Sequence, residues 1–543
     1  MQAIFLYTLF LPPLLPPGRL RERGPIMCTL RRFVFSAIAL LPLCIISSLS
    51  FGQDRKPGVT ESYAGDEPVV THHQVTVHGQ TLAYTARVGY LSIRDEEQAV
   101  RGRMFYVSYS LDQPASAPPR PLLFAWNGGP GSNASLLELD AMGPERLNKQ
   151  PGPSDPRHPA TLVDNDDTWL QFADLVFVDP INTGYSYAAT PEYLKEFLND
   201  QGDADSIAEF IRLYRVHFTV QTAPLFIMGE SYGTFRAAGV ADILANRHIR
   251  LDGVILLSSV LNFDQSRLPD FSSVFLIPNY TATAFVHHRL APDLQVNLEK
   301  AVEQAQHWAE TEYLAALVQG DRLSAERKKA TAQKLAQYTG ISSDTWEQAD
   351  LRLEPDQFAD DVLGLDKLEY VGHYDTTVVA KLGHKGEPYN VSADPSLDNG
   401  VDAIVSGYLR DELGWKTDAF YAGPFGGGYP SPASFRGDWM SVRWNRGVSY
   451  ADRGVALADA LHKTSGLRVF VAHGYFDLST PFAATEYTIG HLGLSPEERQ
   501  RISFVRYEGG HAAYIAPVVR AQFSKDVHAF VEGTAASRID PAR

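Results

Sequence analysis

The stretch Pro224-Leu225-Phe226-Ile227-Met228-Gly229-Glu230-Ser231-Tyr232-Gly233 decides the fold of this chain. An apolar run ends in the pattern G-x-S-x-G, and a segment with helical spacing of apolar residues follows through Leu244. A strand, a sharp glycine-flanked turn and a helix together lift a serine hydroxyl above the edge of an α/β sheet. A strained turn leaves no room for side chains at the two glycines. The pattern therefore predicts a nucleophile at Ser231.

Further short apolar runs, each ending in a turn, lie on both sides of this stretch. Helix-like segments separate several of them, and this alternation predicts an α/β fold with a mostly parallel sheet flanked by helices. From His73 to Leu111 the alternating pattern instead predicts antiparallel strands. The predicted parallel strands are Leu122 to Trp126, Leu175 to Val178, Leu225 to Met228, Val254 to Leu257, Val469 to Ala472 and Ile502 to Val505.

The strand and helix rhythm breaks between residues 265 and 442. Ala301 to Tyr338 is rich in helix-forming residues with apolar positions at helical spacing. We therefore expect a mainly helical cap or lid over residues 265–442, placed where it covers the site. The α/β-hydrolase catalytic domain is expected over residues 74–264 and 443–535, preceded by a loose arm at 53–73.

The pattern of residues 1–52 predicts a targeting segment. Arg31-Arg32 precede a short apolar run, and small residues suited to a cleavage site follow. The run is short for a membrane-spanning helix, so we expect a secreted or periplasmic protein with no stable membrane association. Met27 lies just upstream and is an alternative start. Both cysteines, Cys28 and Cys44, fall in this segment, so the mature chain is expected to form no disulfide.

Charge and composition exclude some function classes. The 543-residue chain has a formal net charge of −16, which argues against sequence-independent nucleic-acid binding because that needs a basic surface. No Cys/His cluster has the spacing of a metal site. The sequence therefore predicts no metal and no cofactor, and it carries no signal for an oligomeric state.

Two polar residues follow the later predicted strands. A serine nucleophile needs a general base, and the base needs an orienting carboxylate. In α/β hydrolases these follow the serine in the order acid, then histidine. Asp477 and His511 each come shortly after a predicted strand and in that order. Glu508 is near enough to be an alternative acid.

An earlier glycine-rich stretch, Trp126-Asn127-Gly128-Gly129-Pro130-Gly131-Ser132, follows another predicted strand. Consecutive glycines let backbone amides face a ligand, as an oxyanion hole requires. A phosphate-binding loop is the alternative, but the lysine and the Ser/Thr of a P-loop are absent. The stretch therefore predicts an oxyanion loop.

Four motifs in order resemble the serine carboxypeptidase family. They are the Trp126 to Gly131 stretch, Asp179-Pro180-Ile181-Asn182-Thr183-Gly184-Tyr185-Ser186-Tyr187, Gly229 to Gly233, and Gly509-Gly510-His511. The resemblance covers roughly residues 75–264 and 440–530. It implies a bacterial-type secreted member with an α/β-hydrolase fold and a helical cap inserted before the final strands.

The resemblance also implies roles for single residues. Ser231 would be the nucleophile, His511 the base and Asp477 its partner, while the backbone amides of Gly129 and Tyr232 would form the oxyanion hole. The side chains of Asn127 and Glu230 would hold the C-terminal carboxylate of the substrate.

Glu230 can hydrogen-bond that carboxylate only if one of the two carries a proton, which favours an acidic working pH. The chain departs from the family at one point that bears on this contact. Many members carry a second glutamate where this sequence has Ala141, with Asp140 next to it. Recognition of a carboxylate by a pair of glutamates is therefore not expected in its usual form.

The sequence therefore predicts a serine-type carboxypeptidase that removes C-terminal residues from peptides or proteins through an acyl-enzyme. One alternative is an esterase or acyltransferase on the same scaffold. Another is a non-catalytic binding or protective protein, against which the intact serine, acid and histidine argue.

Overall fold

A sheet of ten strands organises the chain in the computed structural model. The structure describes residues 66–148, 161–263, 265, 268–364, 368–381, 394, 401–422 and 452–539. The predicted export segment and the first part of the predicted arm lie outside these residues. None of the described helices combines the length and the apolar character needed to cross a membrane.

The strands follow the alternating and apolar runs of the sequence. In chain order they are β1 (Val69–Val77), β2 (Gln80–Arg94), β3 (Val100–Leu111), β4 (Leu122–Trp126), β5 (Glu145–Asn148), β6 (Thr161–Asp164), β7 (Asp174–Val178), β8 (Tyr187–Ala188), β9 (Leu225–Glu230), β10 (Gly253–Leu257), β11 (Glu369–Val371), β12 (Val379–Lys381), β13 (Arg468–Gly474) and β14 (Ile502–Tyr507).

The main sheet has the order β1, β2, β3, β7, β4, β9, β10, β13, β14, with β8 paired to β3. Strands β7, β4, β9, β10, β13 and β14 run parallel to their neighbours in this group. Strands β1 to β3 are antiparallel, as the alternating pattern predicted. The predicted α/β-hydrolase fold with a mostly parallel central sheet is therefore confirmed.

The first strand begins earlier than expected. Residues 69–73 were predicted to belong to the loose arm, but β1 begins at Val69, which pairs with Val88 of β2. The two adjacent histidines His72 and His73 obscure the alternation in the sequence, whereas the burial of the strand alternates along most of its length. The ladder with β2, which satisfies the backbone groups of this segment, explains the difference.

Helices fill the connections between the strands. They are α1 (Pro191–Phe197), α2 (Asp200–His217), α3 (Tyr232–Asn246), α4 (Pro269–Val286), α5 (Leu298–Trp308), α6 (Leu314–Leu317), α7 (Ala325–Thr339), α8 (Ser343–Gln348), α9 (Pro355–Asp361), α10 (Val401–Asp411), α11 (Gly454–Lys463), α12 (Phe482–Gly490), α13 (Pro496–Arg499) and α14 (Pro517–Ile539).

Local sequence signals start several of these helices. The side chains of Thr190 and Asn199 accept hydrogen bonds from the first turns of α1 and α2, and Ser324 does the same for α7. Such caps satisfy backbone N–H groups that have no partner inside the helix. Helix α14 continues to Ile539, past the expected domain end at residue 535.

Each central strand contributes side chains to two cores, one on each face of the sheet. In β4, Leu123 and Ala125 face one core while Phe124 and Trp126 face the other. This alternation follows from the two-residue period of a strand. Because helices cover both faces, the strands read as continuous apolar runs rather than alternating ones.

Helices α4 to α9 lie between β10 and β13 in the chain and share a core of their own. That core also contains Tyr475, Phe476 and Phe482, which come from the segment after β13. Asn279 of α4 is fully buried and donates hydrogen bonds to the carbonyl oxygens of Asp477 (2.8 Å) and Tyr475 (3.3 Å). The inserted helices are therefore packed against the loop that carries Asp477.

Replacing Asn279 with alanine should weaken the fold because two buried carbonyl groups lose their donor. We expect the free energy of unfolding to fall by about 1–3 kcal/mol, measured by urea denaturation. Asn246→Ala is the matched control, since Asn246 is exposed and, among the described residues, its side chain bonds to Asp242 of the same helix. Its loss should stay within about 0.5 kcal/mol; equal losses in both variants would contradict the role of Asn279.

Candidate active site

The parallel strands bring the predicted site residues to one edge of the sheet. Asn127 follows β4, Ser231 follows β9, and the loops after β13 and β14 carry Asp477 and His511. Leu257 at the end of β10 pairs with Glu230 at the end of β9, so these strands end together. The carboxyl edge of a parallel sheet is where α/β proteins place their ligand sites.

Ser231 stands on a strained turn between β9 and α3. Its φ is 59° and its ψ is −130°, a conformation that costs a non-glycine residue roughly 1–3 kcal/mol. The Ser231 N–H donates to the carbonyl of Leu257 (2.9 Å), and the Thr234 hydroxyl donates to the carbonyl of Ser231 (2.7 Å). A Cβ on Gly229 would overlap the carbonyl oxygen of Gly233. The turn therefore needs the first glycine of the motif for steric reasons.

Gly229→Ala should destabilise the protein because its Cβ would meet backbone atoms, which cannot rotate away. We expect a loss of about 2–4 kcal/mol in the free energy of unfolding, measured by thermal and urea denaturation. Gly407→Ala is the control, because Gly407 lies in helix α10 with open space beside it. That change should leave stability equal or raise it by up to about 1 kcal/mol. Wild-type stability in Gly229→Ala would disprove the steric constraint.

Asp477 and His511 form a buried hydrogen-bonded pair. His511 Nδ1 lies 2.8 Å from Asp477 Oδ2. Burial alone would raise the pKa of Asp477, but the charge and hydrogen bond of His511 and the donors of Thr480 outweigh burial and lower it. Burial alone would lower the pKa of His511, but Asp477 and, more weakly, Glu230 raise it. The two groups thus stabilise each other's charged forms.

Thr480 fixes the orientation of Asp477. Its hydroxyl donates to Asp477 Oδ2 (2.6 Å), and its N–H donates to Asp477 Oδ1 (3.1 Å). The Ser479 N–H donates to Oδ1 as well (2.7 Å). With both oxygens engaged, the carboxylate cannot turn away from the imidazole. The alternative acid, Glu508, makes no hydrogen bond to His511 among the described residues.

Ser231 and His511 are connected through the end of β10. Next to Leu257, which accepts from the Ser231 N–H, Ser258 donates its hydroxyl to the carbonyl oxygen of His511 (2.5 Å). In the part of the chain that the structure describes, the Ser231 hydroxyl makes no hydrogen bond to His511 itself. Such bonds are often long without substrate and tighten in the reacting complex.

The glycine-rich loop after β4 lies directly against the serine turn. A Cβ on Gly128 would sit 2.6 Å from the Tyr232 nitrogen and 2.9 Å from Ser231 Cβ. Only glycine allows so close an approach of two backbones. No described residue accepts a hydrogen bond from the N–H of Gly129, the next residue. The loop thus brings the two predicted oxyanion donors, Gly129 and Tyr232, to the same turn.

A buried ion pair ties this loop to the helices behind it. Arg236 Nε donates to Asp203 Oδ2 (2.7 Å), and neither side chain is more than 3% exposed. Arg236 Nη1 donates to the carbonyl of Asn127 (2.8 Å). The Arg236 guanidinium therefore fixes the position of the Asn127 loop relative to Asp203.

Arg236→Met should remove this support and leave Asp203 buried without its cation. We expect a loss of about 3–5 kcal/mol in the free energy of unfolding and a fall in the rate of serine labelling by a fluorophosphonate probe. Arg212→Met is the control, because Arg212 pairs with Glu209 at the surface and such pairs contribute at most about 1 kcal/mol. Similar losses in both variants would contradict the assignment.

Glu230 is buried beside the serine, and two described residues donate hydrogen bonds to one of its oxygens. Asn127 Nδ2 and the Tyr514 hydroxyl each donate to Glu230 Oε2 at 2.8 Å. Burial raises the pKa of Glu230 to about 7, although the charge of His511 and the Tyr514 hydroxyl act to lower it. Near neutral pH this carboxyl can therefore carry the proton that a contact with a second carboxylate requires.

A π-helical turn, Leu137–Met142, occupies the region where the sequence departs from the family. Ala141 is buried in the apolar core, and its side chain carries no polar group. Asp140 is also buried, and its charge contributes to raising the pKa values of both Glu230 and Tyr514. Asp140 therefore lies within electrostatic range of Glu230, although it is one position away from the usual glutamate.

The inserted segment also reaches the histidine. The His511 N–H donates to the carbonyl of Tyr374 (2.6 Å), and the Tyr374 ring meets the imidazole edge-on at 5.2 Å between centroids. On the other side, Thr376 donates to Phe476 and Leu478 donates to His373 through backbone groups, each at 3.0 Å. The hairpin of β11 and β12 thus contacts both loops that carry the acid and the histidine.

A second histidine, His473, lies at the end of β13. It is buried, and burial lowers its pKa to about 4 despite the raising effect of the nearby Asp477 charge. At neutral pH it is therefore uncharged. It does not compete with His511 for the stabilising charge of Asp477.

Several residues of this site were not predicted from the sequence. Thr480 follows Asp477 by three residues, a spacing at which a hydroxyl can bond a preceding carboxylate, so a local signal existed. Tyr514, Arg236, Ser258 and Tyr374 act across long chain separations and carry no local signal. The described residues contain no group of three or more His, Cys, Asp or Glu side chains that could hold a metal ion.

Several known proteins are similar to this chain. The retinoid-inducible serine carboxypeptidase of Rattus norvegicus is 32% identical over 156 residues, which are 28% of this chain and 30% of the rat protein. A pheromone-processing carboxypeptidase of Aspergillus niger is 32% identical over 133 residues, 24% of this chain and 20% of that protein. The aligned part thus spans less than a third of either relative.

Among solved structures, a prohormone-processing carboxypeptidase from Saccharomyces cerevisiae superposes with a TM-score of 0.51 at 15% identity. The match covers 83% of this chain and 91% of the yeast chain. At that identity the likeness establishes the fold. The family model described as serine carboxypeptidase matches residues 77–357, which include the Asn127 loop and the Ser231 turn. This chain therefore belongs to the serine carboxypeptidase family.

Proposed function

We propose that this protein is a serine-type carboxypeptidase that hydrolyses C-terminal peptide bonds through an acyl-enzyme. Family membership, the strained turn at Ser231 and the buried pair of Asp477 and His511 support a serine hydrolase. The observation that carries the exopeptidase assignment is Glu230. It is a buried carboxyl beside the nucleophile, with a pKa raised to about 7.

The reaction begins with attack of Ser231 Oγ on the carbonyl carbon of the last peptide bond. His511 Nε2 takes the hydroxyl proton, and Asp477 on Nδ1 stabilises the imidazolium that forms. The N–H groups of Gly129 and Tyr232 bind the oxyanion. His511 then gives the proton to the leaving amine, the C–N bond breaks, and the acyl group stays on Ser231. Water, activated by His511, releases it.

Recognition of the free C-terminus is assigned to Glu230 and Asn127. A protonated Glu230 donates a hydrogen bond to the substrate carboxylate, and the Asn127 amide, already held at 2.8 Å from Glu230, supplies a second donor. Because this contact needs the proton, binding of a free C-terminus should be strong below the pKa of Glu230 and weaken as the pH rises through about 7.

We also propose that residues 265–442 act as the cap of a catalytic domain formed by residues 74–264 and 443–535. The hairpin contacts at His511 and the separate core of helices α4 to α9 support this division. For localisation we propose export to the periplasm or the exterior, supported by the basic and apolar pattern that ends near Gly52.

An esterase or acyltransferase remains the second candidate, favoured by one observation. Ala141 replaces a carboxyl group that many family members use, so selection of a free C-terminus rests on Glu230 without that partner. A non-catalytic binding role is disfavoured by the intact acid and histidine pair. Labelling of Ser231 by a fluorophosphonate probe separates the catalytic from the non-catalytic case.

The decisive experiment compares blocked dipeptides that end in a free carboxylate with the same peptides as amides, and with simple acyl esters. We expect kcat/KM for the free acid to exceed that for the amide by at least tenfold at pH 6, which corresponds to about 1.4 kcal/mol of selective binding. Ser231→Ala should abolish turnover of every substrate. Equal rates for acid and amide, with fast ester cleavage, would favour the esterase instead.

A further inference from the structure

Tyr514 reaches the site from the short 3₁₀ turn Ala513–Ile515 that follows His511. Its side chain is fully buried, and its carbonyl accepts from Arg520, which is itself paired with Asp167. The Tyr514 hydroxyl donates to the same oxygen of Glu230 that Asn127 holds. No described residue donates to Oε1, so both protein donors converge on one side of the carboxyl group.

We propose that Tyr514 is a positioning residue that sets the protonation of Glu230, and through it the pH range in which a peptide's free C-terminus is bound. This inference rests on the proposed carboxypeptidase function. It names a group that acts through Glu230, carried on the 3₁₀ turn that packs against the π-helical turn containing position 141.

The contacts of Glu230 determine whether its protonated or its ionised form is favoured. A hydroxyl that donates to a carboxylate stabilises its ionised form, so Tyr514 favours loss of the Glu230 proton. The positive charge of His511 acts in the same direction, whereas the negative charges of Asp477 and Asp140 act against it. Burial is the largest influence and favours the protonated form.

With Ala141 in place of a second glutamate, the donor beside Glu230 is the phenol of Tyr514, and this changes how the site titrates. Two neighbouring carboxyl groups share protons and titrate as a coupled pair. Burial raises the pKa of Tyr514 well above its usual value, so the phenol stays a neutral donor across the working range. The recognition of a free C-terminus should therefore follow the titration of Glu230, with Asp140 as a charged neighbour and Ala141 contributing nothing.

The test measures kcat/KM from pH 5 to pH 9 for a blocked dipeptide and for its amide. In the wild type the ratio of acid to amide should fall as the pH rises through about 7. In Tyr514→Phe the lost donor should move this fall to higher pH by about one unit. In Asp140→Asn the lost negative charge should move the fall to lower pH. The amide profile, which reports on His511 and Asp477, should shift less than the acid-to-amide ratio, because Glu230 acts only weakly on His511.

Opposite shifts in the two variants would not arise from general loosening of the site. A fall at the wild-type pH in Tyr514→Phe would overturn the inference, as would an equal shift for the amide, because the effect would then pass through His511. If Tyr514→Phe does not fold, 3-fluorotyrosine at position 514 keeps the shape and strengthens the donor. It should then move the fall to lower pH, and an unchanged profile would overturn the inference.

Failure of the proposed function gives a different result. If the wild type shows no preference for the free acid at any pH, the carboxypeptidase assignment is wrong, and the proposed role of Tyr514 is wrong as well. If the preference exists but its pH dependence is the same in every variant, only the role of Tyr514 is wrong.

Discussion

The site depends on the close approach of two backbones, the turn at Ser231 and the loop at Gly128. A side chain at Gly128 would come within 2.6 Å of the Tyr232 nitrogen, so the two segments touch with no spacer between them. This contact sets Asn127 beside Glu230 and brings Gly129 to the turn at Ser231. The residues proposed for catalysis and those proposed for substrate recognition therefore lie on the same two backbone segments. Arg236 fixes one of these segments by donating to the Asn127 carbonyl.

The inserted segment is hydrogen-bonded directly to the loops of the site, unlike a loosely attached cap. Asn279 bonds the carbonyl of Asp477, and the hairpin of β11 and β12 bonds the backbone at His511, Phe476 and Leu478. The acid and the histidine sit on loops, which by themselves are the more mobile parts of a fold. The insertion supplies hydrogen-bond partners that hold these two loops in place.

The parts of the molecule predicted from the sequence are those with a local pattern. Short apolar runs ending in turns located the parallel strands, and from them the positions of Ser231, Asp477 and His511 at the carboxyl edge. The resemblance to the family also indicated that Ala141 stands where many members carry a glutamate. The hydroxyl that bonds Glu230 was not, because Tyr514 lies 284 residues away along the chain and only the folded sheet brings them together. The start of β1 was missed because the pairing of Val69 with Val88, rather than its own residues, makes it a strand.

The contact between Tyr374 and His511 has a consequence for how this protein can change over evolution. A cap that merely covers a site can be exchanged or shortened without touching the chemistry beneath it. Here the hairpin that contacts both loops carrying Asp477 and His511 also supplies the acceptor for the backbone N–H of His511. Deletion of the hairpin would therefore remove backbone partners from both loops that carry Asp477 and His511. We therefore expect the insertion and the hydrolase core to change together during evolution, because the loops of the core depend on backbone contacts from the insertion.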